Sequence, residues 1–414
     1  MRAFTHARVI DGRGGFIPDW TVVVDGSTIV NVGAASGVEI LEGTEIIDCG
    51  GRTLMSGLMD AHTHLETTAS NNVINEVAQY NLPTRTMRSC WTGVARIRAG
   101  ITTVRDVADI GDCVIAVRNV INQKLLPGPR IIASGKAINQ TGGHASMSTE
   151  YQWSRPDAGG SGHCVDGEAE CRRAIRTEVA AGADLIKIYV TSGLYDPFLG
   201  KPRDEFSQKE IEALCEEAAN SGKKVAAHCH TAKSAKYCIE NGVASIEHGM
   251  MINEETLELM KAHGTFWVPT TIVYQLMADG AKYGLGSSTI ENSRKALVNQ
   301  EKMFRKALEM GIKIGIGTDC GGVLINHGET ARELECLNRW GMTAMDCIRA
   351  ATSANAELLG IDSITGSVEA GKEADILIVD GDPLEDIRIL QNQEKILVVM
   401  RGGEYYKDTF SGLR

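Results

Sequence analysis

The feature that most constrains the fold is an alternation of short apolar runs with longer amphipathic stretches through the middle of the chain, about 57–362. We predict strands at the apolar runs, which are 54–64, 101–107, 130–134, 184–190, 224–230, 244–248, 265–269 and 313–319. Helix patterns lie between some of them, at 170–181, 207–221, 232–241 and 254–263. Eight strands with crossover helices in about 300 residues predict an α/β fold of the (β/α)8 type, the TIM barrel.

An open doubly wound sheet would show the same alternation. In such a sheet, reactive residues concentrate near one switch point between strands. Here the candidate reactive residues occur at strand ends along the whole region, from His62 in the first strand to Asp319 in the eighth. A barrel brings all these ends to one mouth, so their distribution favours the barrel.

The two ends of the chain have a different pattern. Residues 1–56 and 363–414 both consist of short strand-like runs separated by turn signals such as Asp11-Gly12 and Gly402-Gly403. We therefore predict that the two ends combine into one small β-sandwich domain. The barrel, 57–362, is then an insertion between them.

Composition excludes several classes of function. A net charge of −11 argues against nucleic acid or an anionic membrane as a partner, and no apolar stretch of about 18 residues predicts a membrane span. The first residues lack the apolar core of a signal peptide. The 11 cysteines are irregularly spaced, without a C-x-x-C pair, which is typical of reduced thiols. We expect a cytoplasmic protein that acts on a small molecule.

The predicted strand ends carry residue types that bind metal ions. These residues are His62, His64, His228, His230, His248 and Asp319. Alternation places His62 and His64 on one face of a strand, separated by Thr63. Such a histidine pair also occurs as an ordinary polar strand end. Imidazole and carboxylate are suitable ligands of Zn²⁺, so a shared mouth predicts a metal centre.

Lys187 lies inside the apolar fourth strand. An ammonium ion in that setting is costly, and burial drives it towards the neutral amine. A neutral amine can react with CO₂ to give a carbamate whose two oxygens can bridge two metal ions. The alternative is a lysine that reaches solvent or pairs with a carboxylate, such as Glu247 or Asp106.

These ordered motifs resemble the amidohydrolase superfamily, in its binuclear branch with a carboxylated lysine. The motifs are Gly57-Leu-Met-Asp-Ala-His-Thr-His64, Gly100-Ile-Thr-Thr-Val-Arg-Asp106, Asp184-Leu-Ile-Lys187, Ala227-His228, Glu247-His248-Gly249 and Gly317-Thr-Asp319. The tail 366–380 is similar to the superfamily's return to its small β domain. The segment 139–144, Asn-Gln-Thr-Gly-Gly-His, is similar to prolidase-like metallo-dipeptidases and carboxypeptidases, a group that includes ochratoxin-type amidases.

The resemblance implies a pair of Zn²⁺ ions and a role for each ligand. In the implied set, His62, His64 and Asp319 bind the more buried ion, carboxylated Lys187 bridges both ions, and His228 and His248 bind the other. His228 and His230 compete for the ligand role on the fifth strand. The family pattern places the ligand at His228, 20 residues before His248. His230 stands where similar chains often have a tyrosine that helps to hold the substrate carboxylate.

The resemblance also implies residues that contact substrate. His144, on the loop after the third strand, contacts the scissile carbonyl or the substrate carboxylate; a solvated loop histidine is the alternative. Tyr195 lines the pocket or packs as an ordinary loop aromatic. Asp319 takes a proton from the attacking water, which the two metal ions activate, and then delivers it to the leaving nitrogen.

The function predicted is zinc-dependent hydrolysis of a C-terminal peptide bond or of an N-acyl-amino-acid amide bond. A cyclic amide hydrolase, of imidazolonepropionase or hydantoinase type, and an ochratoxin-type amidase are the alternatives. A deaminase is disfavoured because Lys187 is present and His230 replaces the expected glutamate. Intact ligand positions argue against a scaffold without metal. By analogy with similar barrels, we expect a homo-oligomer.

Overall fold

The computed structural model describes residues 1–71, 73, 79–144, 162–194 and 202–410. The strands are β1 Arg2–Ile10, β2 Phe16–Asp25, β3 Thr28–Ala34, β4 Glu45–Asp48, β5 Thr53–Ser56, β6 Leu58–Thr63, β7 Ile101–Asp106, β8 Arg130–Ala133, β9 Ala137–Asn139, β10 Gly162–Cys164, β11 Ile186–Tyr189, β12 Val225–Thr231, β13 Ser245–Met251, β14 Phe266–Val268, β15 Ile376–Val379, β16 Ile396–Arg401 and β17 Glu404–Asp408. The helices are α1 Leu82–Arg98, α2 Cys113–Asn122, α3 Glu168–Ala181, α4 Gln208–Asn220, α5 Ala232–Glu240, α6 Glu254–His263, α7 Thr271–Ala278, α8 Ser287–Met310, α9 Thr330–Arg339, α10 Ala344–Arg349 and α11 Asn355–Leu359.

Strands from both ends of the chain form one sheet. Its order is β17-β16-β15-β5-β1-β2-β3, and β4 also pairs with β1. The first half of β1 pairs with β4 and its second half with β5. His6, between these halves, has a left-handed φ of +48°, and the register of β1 on β2 shifts there. The exact limits of a terminal domain, 1–56 and 363–414, remain a prediction.

The barrel consists of parallel strands in the order β6-β7-β8 and then β9-β11-β12-β13-β14, with β10 beside β9. β8 and β9 are consecutive in the chain, and the Asp184 N–H, just before β11, donates to the Ala133 carbonyl of β8 at 2.8 Å, so the two groups are continuous. The eighth strand closes the ring. Ile314 bridges in parallel to Trp267 of β14, and Cys320 bridges to Thr63 of β6. The backbone N–H of Ala61 donates to the Ile316 carbonyl at 2.8 Å. The predicted fold class is confirmed.

The eighth strand, predicted at 313–319, is extended chain with isolated bridges and is not a regular strand. Asn355 explains part of the irregularity, because its side chain accepts from Ile316 N–H and donates to the carbonyls of Ile316 and Met59. Gly317 allows the close approach to β6: a Cβ there would lie 2.7 Å from the Cβ of His62. The backbone therefore passes directly beside the first strand of the barrel.

The predicted strand 54–64 is two strands. Its first part is β5 in the terminal sheet, and its second part is β6 in the barrel. Gly57 separates them, and a Cβ there would lie 2.1 Å from Oγ1 of Thr102, so only glycine fits the crossing. The predicted helices agree more closely. Ser207 caps α4 with Glu210 in a capping box.

Within the described residues, no helix combines the length and apolar character that a membrane crossing requires.

Candidate metal centre

Side chains from the carboxyl ends of several barrel strands meet at one mouth. The ring centroids of His62 and His64, both near the end of β6, are 5.5 Å apart. His248 from β13 lies 4.8 Å from His62, and His228 from β12 lies 4.7 Å from His248. Parallel strands in a barrel present their carboxyl ends together, so residues 186 positions apart in the chain, His62 and His248, become neighbours.

Asp319 joins the two histidines of the first barrel strand. Its Oδ1 is 3.1 Å from Nε2 of His64 and 3.6 Å from Nε2 of His62. Ligand atoms of His62, His248 and Asp319 all lie within 4.8 Å of one another. Burial alone would raise the pKa of Asp319, but the His64 hydrogen bond and the nearby His62 hold it well below its usual range. The residue is therefore a carboxylate, as a metal ligand must be.

Lys187 is buried in β11 with only 1% of its surface exposed. Its Nζ has no hydrogen-bond partner within the described part of the chain. Burial lowers the pKa of this amine to about 8. At pH 7 that raises the neutral fraction from less than about one in a thousand to roughly one in ten. A buried, unpaired and partly neutral amine has the properties that carbamate formation requires.

The carboxylate proposed as an alternative partner of Lys187 is engaged elsewhere. Glu247 accepts hydrogen bonds from Nη2 of Arg105 at 2.7 Å, from Nδ1 of His62 at 2.8 Å and from the Ser245 hydroxyl. Burial alone would raise the pKa of Glu247, but the Arg105 charge and the His62 hydrogen bond lower it to about 2. Asp106, the other candidate, accepts from the backbone N–H of Leu65.

Glu247 also orients the first ligand. Since the carboxylate accepts from Nδ1 of His62, the imidazole carries its proton on Nδ1 and leaves the lone pair of Nε2 facing Asp319. Sequence reasoning considered Glu247 only as a partner for Lys187 and missed this role. The available signal was a charged residue inside an apolar strand, directly before His248.

The backbone is left-handed at three positions around the mouth. φ is +68° at His248, +47° at Thr270 and +61° at Asp319. Such values are uncommon for residues with a Cβ, and least favourable for a β-branched threonine. Oγ1 of Thr270 lies 2.7 Å from Nδ1 of His248, and the side-chain amide of Gln300 donates to the His248 backbone carbonyl at 3.0 Å. The first contact orients the ring of His248 and the second holds its backbone, and sequence reasoning missed both.

His228 and His230 of β12 both face the mouth. Their ring centroids are 4.7 Å apart, and each is close to His248, at 4.7 Å and 5.4 Å respectively. Nε2 of His228 is buried without a hydrogen-bond partner among the described residues. Nε2 of His230 lies 3.5 Å from the Tyr274 hydroxyl. Nδ1 of His230 is likewise buried without a partner among the described residues, so only the shorter distance to His248 favours His228, and the choice of His228 as the ligand stays a prediction.

His144 lies against this cluster from the loop after β9. Its ring stacks on that of His228 at 4.3 Å with an interplanar angle of 20°. Burial lowers the pKa of His144 to about 4, so the ring is neutral near pH 7. Glu205 accepts from the backbone N–H of His144 at 3.1 Å and holds the turn in place. His144 is therefore not a solvated loop residue. Tyr195 lies outside the described residues.

The assembled donors fit a pair of divalent cations. The histidines and Asp319 converge, and Nζ of Lys187, Nε2 of His228 and Nδ1 of His230 are buried without partners in the part of the chain that the structure describes. A buried nitrogen without a partner is costly, and a bound ion removes that cost at His228. Imidazoles and a carboxylate suit Zn²⁺ chemically, as would a carbamate formed on Lys187.

Comparison with known families agrees with this geometry. The family model described as the amidohydrolase family matches residues 53–405, most of the chain. The chain belongs to the amidohydrolase family. It is accordingly an enzyme that hydrolyses carbon–nitrogen bonds, as predicted.

Individual relatives of this amidohydrolase are similar over most of its length. Ochratoxinase of Aspergillus niger is 32% identical over 373 residues, covering 86% of this chain and 75% of that protein. The solved structure of a Xaa-Pro dipeptidase with bound methionine in its active site has a TM-score of 0.88 at 32% identity, covering 98% and 99% of the two chains. A prolidase complexed with N-methylphosphonate-L-proline has a TM-score of 0.88 at 28% identity, again covering 98% and 99%.

Proposed function

We propose that this amidohydrolase cleaves the C-terminal amide bond of a dipeptide or of an N-acyl amino acid. The observation that carries the proposal is the position of two neutral histidines, the half-buried His144 and the buried His230, beside the His228 and His248 pair. They can donate hydrogen bonds to a substrate carboxylate next to the scissile bond. The two solved relatives hold an amino acid or a proline derivative, which supports a substrate of this class.

The metal ligands in this proposal are those that the sequence predicts. His62, His64 and Asp319 would hold one divalent cation, His228 and His248 would hold the other, and Lys187 would contribute a ligand once carboxylated by CO₂. When bound, two such cations polarise the amide carbonyl and lower the pKa of water towards neutrality. Zn²⁺ is the cation that this mixture of imidazole and carboxylate ligands favours.

Asp319 carries the proton in the proposed reaction. Its carboxylate lies at the mouth, where about a fifth of the side chain is exposed (18%), and its pKa is held low. It can accept a proton from the attacking water and transfer it to the leaving nitrogen. The amide bond is then cleaved, and the products are an amine and a carboxylic acid.

His144 and His230 position the substrate. Burial lowers the pKa of His230 to about 3, and that of His144 to about 4, so both rings are neutral at the pH of the reaction. A neutral imidazole donates through one nitrogen only. His144 orients the scissile carbonyl or the carboxylate, and His230 replaces the tyrosine of similar chains as a donor to the carboxylate.

A matched substrate panel tests the proposal. The zinc-loaded enzyme is assayed on dipeptides and N-acyl amino acids, each with a free carboxylate and as its C-terminal amide, and on ochratoxin and hydantoin. We expect turnover of the free acids and a loss of at least about 10-fold in kcat/KM for their amides, since the histidine donors then lack a charged acceptor. Equal rates for both forms would refute carboxylate recognition.

An ochratoxin-type amidase is the second candidate. The identity to the Aspergillus niger ochratoxinase favours it. Faster hydrolysis of ochratoxin than of every dipeptide in the same panel would support the ochratoxin-type amidase. Preference for hydantoin would select a cyclic amide hydrolase. Cytoplasmic location and homo-oligomeric assembly remain predictions.

A further inference from the structure

Beyond the mouth, the described residues contain one further group that could hold a metal ion: Glu66, Asp109 and Cys113. A carboxylate oxygen of each acid and the sulfur of Cys113 all lie within 4.8 Å of one another. Glu66 follows β6, Asp109 follows β7, and Cys113 begins α2. Their exposed fractions are 4%, 0% and 2% respectively, so water does not screen the charges of the two acids.

Acidic side chains outnumber basic ones among the described residues of this group. Asp106, fully buried at the end of β7, lies close enough to Asp109 and Glu66 for their charges to act on it. Burial raises the pKa of Asp109 to about 6, which reflects the cost of its charge. Arg85 contacts the group, with Nη1 3.5 Å from Oε2 of Glu66. Burial also raises the pKa of Glu66 to about 8 and that of Asp106 well above its usual range, so these acids hold protons that a bound divalent cation could replace.

Two carboxylate oxygens in the group are unsatisfied. Oδ2 of Asp106 accepts from Leu65 N–H at 2.7 Å, and Oδ2 of Asp109 accepts from Val114 N–H at 2.6 Å. The Oδ1 atoms of both aspartates are buried and have no hydrogen-bond partner in the described ranges. Such atoms are rare in folded proteins, and each needs an explanation, which a bound cation would supply.

Glu333 shows how the same fold treats a buried acid that needs no ion. Its Oε1 accepts from Thr271 N–H at 2.8 Å, and its Oε2 accepts from Ile272 N–H at 2.7 Å. Both oxygens are therefore satisfied by backbone donors. Asp106 and Asp109 differ from Glu333, because one oxygen of each has no hydrogen-bond donor within the described ranges.

We propose that Glu66, Asp109 and Cys113 bind a third divalent metal ion, separate from the catalytic pair. A thiolate with carboxylates selects Zn²⁺, Co²⁺ or Cd²⁺ over Mg²⁺ and Ca²⁺. On binding, Cys113 gives up the thiol proton that it now donates to the Ile110 carbonyl at 3.2 Å, and that proton passes to solvent. The ion ties the loops after β6 and β7 to the start of α2.

Cobalt provides a readout specific to this site. The ligands proposed for the catalytic pair contain no sulfur, so a thiolate-to-cobalt absorption band in the near ultraviolet reports Cys113. We expect the enzyme produced with Co²⁺ to show this band. Cys113→Ser removes the band and lowers the metal content by one ion per chain. The control variant Cys171→Ser, at a buried cysteine of α3, is expected to keep both the absorption band and the wild-type metal content.

A wild-type enzyme without the band would overturn the proposal, because protons would then balance the acids. Equal metal content in the wild type and a folded Cys113→Ser variant would do the same. The wild-type spectrum decides the question even where a variant misfolds. Asp109→Asn, with Glu333→Gln as the matched control, is expected to lose one ion per chain. Amide hydrolysis is measured separately, so failure of the proposed reaction leaves this test intact.

Discussion

Nδ1 of His62 donates a hydrogen bond to Oε2 of Glu247 at 2.8 Å, between two side chains that solvent does not reach. Arg105 and Ser245 hold the other oxygen of the same carboxylate. The bond joins β6 to β13 across the barrel and fixes the tautomer of the ring. The position of Nε2 at the mouth therefore depends on a residue that does not itself bind metal.

Glu247→Gln is expected to weaken metal binding by about 10- to 100-fold. Glutamine can accept only through its carbonyl oxygen, so Arg105 and His62 lose their shared anion. Titration of the metal-free enzyme with Zn²⁺, read by recovered activity, measures the change. Ser245→Ala, which removes one weaker donor to Glu247, is expected to shift the curve less. A curve for Glu247→Gln that overlays the wild type would contradict this role.

Lys187→Ala is expected to lower kcat by at least about 100-fold, because the bridging group is lost. A small carboxylic acid such as propionate is expected to restore part of the rate, since its two oxygens can take the place of the carbamate. Lys187→Arg keeps the positive charge but cannot form the carbamate, and should stay inactive. Activity of Lys187→Arg near that of the wild type would rule out the bridge.

Asp319→Asn is expected to lower kcat by about 10²- to 10⁴-fold, through loss of the proton carrier. Asp319 is also a proposed ligand, so metal content is measured on the same sample. A variant that retains both metal and full turnover would exclude the proton-transfer role. One that loses metal is assayed again with excess Zn²⁺ to separate the two effects.

His327 makes the stability of the fold depend on pH. Nε2 donates to the Thr67 carbonyl at 2.7 Å, and Nδ1 lies 3.3 Å from Nη1 of Arg96. Burial, and then the Arg96 charge, lower the pKa of His327 to about 3. Below about pH 6.5 the unfolded chain therefore binds a proton that the folded chain does not, and stability falls as the pH falls towards 3.

Denaturant unfolding at several pH values checks this expectation. The free energy of unfolding of the wild type, minus that of His327→Gln, should be largest near pH 7.5. It should decrease on acidification by up to about 1.4 kcal/mol per pH unit. His263→Gln, which replaces an exposed histidine at the end of α6, is the matched control. A constant difference for His327→Gln would show that His327 does not titrate in this way.

Local patterns in the sequence were enough to predict much of the site. Alternation correctly placed His62 and His64 on one face, since both lie near Oδ1 of Asp319. An apolar strand around Lys187 correctly predicted a buried amine. The capping box at Ser207 was confirmed. These features depend on neighbours in sequence, which periodicity reports directly.

The remaining features depend on contacts distant in sequence. Arg105 finds Glu247 only because the barrel closes, and no local pattern pairs residues 142 positions apart. The left-handed backbone at Thr270 results from the contacts of its loop and is invisible in the composition. The irregular eighth strand likewise follows from the side chain of Asn355, which the pattern of 313–319 does not include.

An anomalous-diffraction crystal structure of the zinc-loaded enzyme tests the central claim most directly. We expect two zinc peaks at the mouth, one against His62, His64 and Asp319 and the other against His228 and His248. Density should continue from Nζ of Lys187 as a carbamate between them. A bare amine at Lys187, together with one peak or none at the mouth, would contradict the account.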